Sequence, residues 1–217
     1  MRPDLARVLA TLAHEIRTPL SISQGYIKLM REGRLTDPDE ARRALDRTQQ
    51  ALAGLATYCA DMSRISSLAE SAHAGIPERM TVAELLARVR AAGPALSTAD
   101  WSGMESAGVF EGRPVTDVVE ALAAVLGLPF DHNRGPALSL HASADDALTI
   151  MAGTDRARIA LQEGPDSAIA APVDLTRGGK GLTLIWAAFV LDKHGAHAWT
   201  LRSDPASVAI RLRLVKT

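Results

Sequence analysis

The chain has one cysteine, Cys59, in 217 residues, so no internal disulfide can form and the fold must rest on apolar packing. It also lacks an excess of charge: 24 lysines and arginines stand against 25 aspartates and glutamates, and both signs are interspersed along the sequence. Without a broad basic face, nucleic acid and anionic membrane surfaces are poor partners, and proteins or small molecules are the better expectation. No apolar run reaches the length of a membrane span, and Met1-Arg2-Pro3-Asp4 does not open a signal peptide. These features lead to the expectation of a cytoplasmic chain. No cysteine and histidine spacing suggests zinc, no metal-ligand set stands out, and no serine, histidine and acid arrangement points to hydrolysis.

What is present is a long helical pattern. Leu5, Leu9, Leu12, Ile16, Pro19, Ser23, Tyr26 and Met30 alternate at spacings of four and three, a seam of the coiled-coil type. Gly33 to Asp37 interrupts it, and Asp37-Pro38-Asp39-Glu40 supplies an N-cap, a first-turn proline and a capping acid for a second helix. The seam of that helix runs through Ala41, Leu45, Thr48, Leu52, Leu55, Cys59, Met62, Ser66 and Ala69, widened by Ala44, Ala51, Tyr58 and Ile65. Two such helices make an antiparallel hairpin. A lone hairpin buries one side of each seam, so pairing with a second copy into a four-helix bundle, a homodimer through residues 4 to 70, is expected.

Opposite the first seam lies His14-Glu15-Ile16-Arg17-Thr18-Pro19-Leu20. On a helix, positions 14 and 18 stack one turn apart with 15 beside them, so His14, Glu15 and Thr18 are expected on one outer face. Pro19 removes the N–H that would bond the Glu15 carbonyl, and a bend is expected just after the site. This string resembles the H-box of sensor histidine kinases of the HisKA type. In that family the histidine accepts a phosphoryl group, the adjacent acid serves as base, and the residue four positions on orients water for dephosphorylation. The resemblance assigns these roles to His14, Glu15 and Thr18.

The second half changes period. Ser71 to Glu78 reads as a linker, within a boundary region of residues 71–80 that separates a phosphotransfer hairpin, 1–70, from an α/β domain, 81–217. Thr81-Val82-Ala83-Glu84 is a capping box opening a helix that Gly93-Pro94 ends. Pro114 to Leu126 is a further helix. Leu138–His141, Leu148–Met151 and Arg158–Leu161 read as short strands with Gly153-Thr154-Asp155 a hairpin turn. Gly181 to Lys193 is an apolar helix, and two strands close the chain. In the last, Val208, Ile210, Leu212 and Leu214 are expected on a buried face, with Ala209, Arg211 and Arg213 on a wet one. The implied fold is a helical hairpin followed by an α/β sandwich.

This order is similar to the ATP-binding domain of the same kinases, and the nucleotide boxes are reduced. Ala121 and Val125 stand near the positions where magnesium-holding asparagines belong in the family, and a methyl group cannot ligate a hard cation. In Leu161-Gln162-Glu163-Gly164-Pro165-Asp166-Ser167 a neutral amide, Gln162, stands where the family has the adenine-reading acid, and Glu163 and Asp166 are the acids that a shifted register would put there. Gly178-Gly179-Lys180-Gly181-Leu182-Thr183-Leu184 is close to the family's Gly-x-Gly-Leu-Gly-Leu, with Thr183 in place of the third glycine; as a phosphate cradle it makes Gly179, Lys180 and Gly181 the candidate cofactor-binding residues, and its alternative is a loop ahead of a core helix. The expectation is a phosphorelay protein that carries a phosphoryl group on His14 and exchanges it with a response-regulator receiver domain, with no cofactor required and ATP binding weak or lost. Two alternatives stand beside it: an ATP- and magnesium-dependent autophosphorylating histidine kinase, and a pseudokinase binding module without chemistry.

Overall fold

The computed structural model describes residues 5–70, 77–99, 101, 108–113, 115–130, 139–144, 147–163, 169–173, 182–204 and 206–215. By contact the chain divides into two compact units, one of Pro3–Glu70 with Thr176–Trp186, the other of Met1–Arg2, Ser71–Leu175 and Ala187–Thr217.

In the first unit, α1 (Leu5–Arg31) and α2 (Pro38–Glu70) form the hairpin. Gly33, at φ +65°, lets the chain leave α1 through a left-handed turn in which its N–H donates to the Met30 carbonyl. Asp37 then caps α2: its Oδ1 accepts from the Asp39 N–H at 3.0 Å. Two cross-helix hydrogen bonds fix the register, Arg47 Nη1 to the Tyr26 hydroxyl at 3.3 Å and the Tyr58 hydroxyl to Glu15 Oε2 at 3.1 Å. They lie the same number of residues apart on each helix, as an antiparallel pair in constant register requires.

The seam between α1 and α2 differs from the sequence expectation in its first half. From Pro19 onward it follows the expected positions, but before Pro19 the buried residues are Val8 and Glu15, with the expected Leu12 and Ile16 half-buried and Leu9 exposed. Val8 is 4% exposed and Glu15 8%. One heptad separates these two, and the step from Leu9 to Val8 rotates the contact stripe by the 100° of a single helical residue. On α2 the facing stripe is the one that includes Ala44, Thr48 and Ile65, all buried. Leu9, Leu20 and Ile27 on α1 and Leu45 and Leu52 on α2 remain exposed, a second apolar stripe that the hairpin itself does not cover, while Ile22, also exposed, lies on the side of His14 and Thr18. Helix α1 runs continuously through Pro19.

The second unit holds a two-stranded and a five-stranded sheet. Strand β1 (Glu78–Thr81) pairs antiparallel with β2 (Val109–Gly112), so the end of the expected linker is already in a sheet. Thr81 begins α3 (Val82–Ala92) with both halves of its capping box formed, and Gly93 ends it. A short 3-10 helix, Pro94–Thr98, follows. Helix α4 (Val115–Leu126) buries Val118, Ala121, Leu122 and Val125 completely. Strands β3 (Ser139–Ala144), β4 (Ala147–Gly153), β5 (Ile169–Pro172), β6 (His197–Leu201) and β7 (Val208–Arg213) form the larger sheet in the order β3-β4-β7-β6-β5, every neighbouring pair antiparallel. The apolar helix before β6 is α6 (Thr183–Lys193).

Two local expectations are overturned here. Arg158–Leu161 is not a strand and Gly153-Thr154-Asp155 is not a hairpin turn; β4 passes through Gly153 into helix α5 (Asp155–Glu163). The run Asp155-Arg156-Ala157-Arg158-Ile159-Ala160 favours helix by composition, and its small buried side, Ala157 with Ala160, packs on Met151, Leu201 and Ala209. That packing also corrects β7. Ala209 is 0% exposed because α5 covers the face of the sheet expected to be wet.

Candidate functional site

The site is built from one turn of α1 and one residue of α2. His14 projects outward with its side chain 73% exposed, and Thr18, one turn further on, is exposed as well. Glu15 does not share that face. A step of one residue turns it toward α2, where its side chain is 10% exposed and its Oε2 accepts the Tyr58 hydroxyl. The expected outer triad is thus split: His14 and Thr18 face solvent, and Glu15 approaches His14 from the seam.

Burying a carboxylate is costly unless hydrogen bonds compensate it, and the Tyr58 hydroxyl does so here. The same contact acts on the tyrosine. Burial, followed by the hydrogen bond and negative charge of Glu15 and the charge of Asp61, holds the Tyr58 hydroxyl above its ordinary titration range, so it remains a donor. The other oxygen, Oε1, lies 3.7 Å from His14 Nδ1. A carboxylate on the Nδ1 side leaves the Nε2 side of the ring open toward solvent. A groove of about 980 Å³ runs from this point between α1 and α2, lined by His14, Thr18, Tyr26, Arg47 and Tyr58 among others.

The nucleotide positions fare differently. Gly179, Lys180 and Gly181 lie outside the described residues. Gln162 falls in the last turn of α5. Ala121 and Val125 are each 0% exposed and sit within the apolar packing of α4. His194, at the end of α6, is used structurally: its Nε2 accepts the Arg113 backbone N–H at 3.1 Å and its Nδ1 meets the Val190 carbonyl at 2.9 Å. The first bond requires an unprotonated Nε2, so the proton is on Nδ1. Burial lowers the His194 pKa, with Lys193 adding to the effect against the Val190 carbonyl and Asp117.

A solvent-facing histidine backed by a buried carboxylate on a two-helix hairpin, ahead of a layered α/β unit, defines a phospho-acceptor module joined to a sheet domain. Residues 4–71 match the His Kinase A (phospho-acceptor) domain. Two solved structures share the fold along almost the whole chain. The histidine kinase AdeS of Acinetobacter baumannii matches with a TM-score of 0.57 at 15% identity, covering 94% of this chain and 98% of that one. Full-length ShkA in complex with AMPPNP matches with a TM-score of 0.52 at 18% identity, covering 96% of this chain and 46% of that one. Comparison with curated protein sequences gives no match. Residues 4–71 are therefore a HisKA phospho-acceptor domain, and the region after them shares its fold with these histidine kinase structures. HisKA domains dimerise and transfer phosphate to response regulators. Among the described residues no helix is long and apolar enough to cross a membrane.

Proposed function

We propose that this protein is a histidine phosphotransferase: His14 takes a phosphoryl group from the phospho-aspartate of a response-regulator receiver domain and returns it to another, with no requirement for ATP. The observation that carries the reading is the exposed His14 ring with Glu15 Oε1 on its Nδ1 side. In the forward step the Nε2 lone pair attacks phosphorus, the N–P bond forms, and the P–O bond to the aspartate carboxylate breaks. As the N–P bond forms, the Nδ1 proton passes to the Glu15 carboxylate, so the positive charge that would build on the ring is removed and the phosphorylated imidazole ring is left neutral. Reversal returns the proton and the phosphoryl group. Thr18, exposed one turn away, orients water for hydrolysis of the partner's phospho-aspartate.

The homodimer belongs to this reading. Leu9, Leu20, Ile27, Leu45 and Leu52, each between 42% and 55% exposed, supply an apolar stripe that a second hairpin covers.

The autokinase alternative draws on the fold shared with AdeS and with ShkA, the latter bound to a nucleotide analogue. Against it, α4 offers fully buried Ala121 and Val125 where the resemblance would put magnesium ligands. Calorimetric titration of the full chain with magnesium and ATP separates the readings. No heat of binding at micromolar ATP is expected, and micromolar affinity would favour the autokinase.

A further inference from the structure

We infer that Tyr58 is a positioning residue for the reaction at His14: its hydroxyl fixes Glu15 Oε2 so that Oε1 is presented to the imidazole Nδ1. The inference rests on the reading of Glu15 as the group that takes the Nδ1 proton.

Glu15 is a long side chain with three rotatable bonds, placed in a seam where its neighbours at heptad-like spacing, Val8 and Ser23, are a small apolar group and a hydroxyl. A carboxylate at such a position gains by rotating outward into water. It is held inward, at 10% side-chain exposure, with one oxygen on Tyr58 at 3.1 Å and the other 3.7 Å from His14. Tyr58 lies on the opposite helix, 43 residues away in sequence. The two oxygens thus divide the work, one anchored to the scaffold and one turned to the reacting ring. Anchoring matters because a free imidazole prefers its proton on Nε2, the nitrogen that must attack. A carboxylate fixed beside Nδ1 reverses that preference and leaves Nε2 with its lone pair.

The test uses the full chain with two readouts. Long-range proton–nitrogen-15 correlation of His14 reports its tautomer. Phosphoramidate serves as donor, its P–N bond breaking and ammonia leaving as the N–P bond to His14 forms, and gives a rate of His14 phosphorylation as a function of donor concentration. The wild type should carry the proton on Nδ1. Tyr58→Phe keeps the ring in the seam and should move the proton toward Nε2. It should also lower the maximal rate about tenfold or more, the loss expected for one hydrogen bond to a charged group, without changing the half-saturating donor concentration. In a Glu15→Ala background the same substitution should change the rate less than about twofold, because the group it acts through is gone. If Glu15→Ala slows phosphorylation but Tyr58→Phe leaves tautomer and rate at wild-type values, the role of Tyr58 is overturned and that of Glu15 stands. A Tyr58→Phe loss that persists in full in the Glu15→Ala background also overturns it, since that marks a general structural effect. If Glu15→Ala has no effect on the rate, the proton-acceptor reading itself fails, and the inference fails with it.

Discussion

Replacing Leu45 and Leu52 together by alanine tests the two-stripe organisation of the hairpin. These residues are one heptad apart on α2 and are 55% and 50% exposed in the single chain, so each has about half of its burial still to gain. Complete burial of a leucine is worth about 1.5–3 kcal/mol, and half of that is about 1 kcal/mol. A symmetric dimer contains each substitution twice, so the double variant should weaken association by about 3–4 kcal/mol, a few hundredfold in dissociation constant. The fold of each hairpin should change little, because the intrachain seam runs through other residues, among them Ala44, Thr48 and Ile65. Sedimentation velocity across a concentration series gives the dissociation constant, and far-ultraviolet circular dichroism checks that helix content is retained. An unchanged constant with both leucines removed would refute the reasoning, as would a wild-type chain that stays monomeric at tens of micromolar.

Ser23→Ala should stabilise the hairpin by up to about 1 kcal/mol, because the buried Ser23 hydroxyl has no hydrogen-bond partner among the described residues and alanine is the better helix former; chemical denaturation of the full chain followed by helix signal measures it. The His194 pKa is lowered on folding, so its contribution is fully present above the unfolded value of about 6.5 and is lost as pH falls through the folded value. Thermal melts from pH 8 to 5 should show that acid-side loss of stability. His194→Ala should remove the His194 component of the pH dependence and destabilise by about 1–3 kcal/mol at pH 8 through the unpaired Arg113 N–H. Thr18→Ala should slow decay of a phosphorylated receiver without blocking transfer to His14, read as separate rates in a quench-flow assay with the full chain.

Much of the hairpin was legible because its evidence is periodic and long: a heptad pattern over two dozen residues survives a local error of one position. That error still mattered at the site. Sequence placed Glu15 with His14 and Thr18 on the outer face, and the 100° step between consecutive residues put it in the seam instead, opposite Tyr58. Tyr58 had been read only as widening an apolar stripe. The signal that would have marked it is the pairing of a polar-tipped residue with an acid across two antiparallel seams in the same register as Tyr26 and Arg47.

The α/β half was less legible for a different reason. Strands of four residues, such as β1, β2 and β5, are too short for an alternation to show, and α5 buries mainly alanines, which give a weak apolar period. Ala209 illustrates the remainder: a small residue alternating with buried ones reads as exposed until a helix is known to cover that face. The capping box at Thr81 was correctly read because its two hydrogen bonds are set by local spacing alone.

The most direct test of the account is to incubate the full chain with a panel of receiver domains phosphorylated on aspartate, and in parallel with magnesium and γ-labelled ATP, then locate any acid-labile phosphoryl group by mass spectrometry. The account predicts phosphorylation at His14 from at least one receiver, none in His14→Ala, and none from ATP. Labelling of His14 from ATP alone, or phosphoryl transfer that persists in His14→Ala, would contradict it.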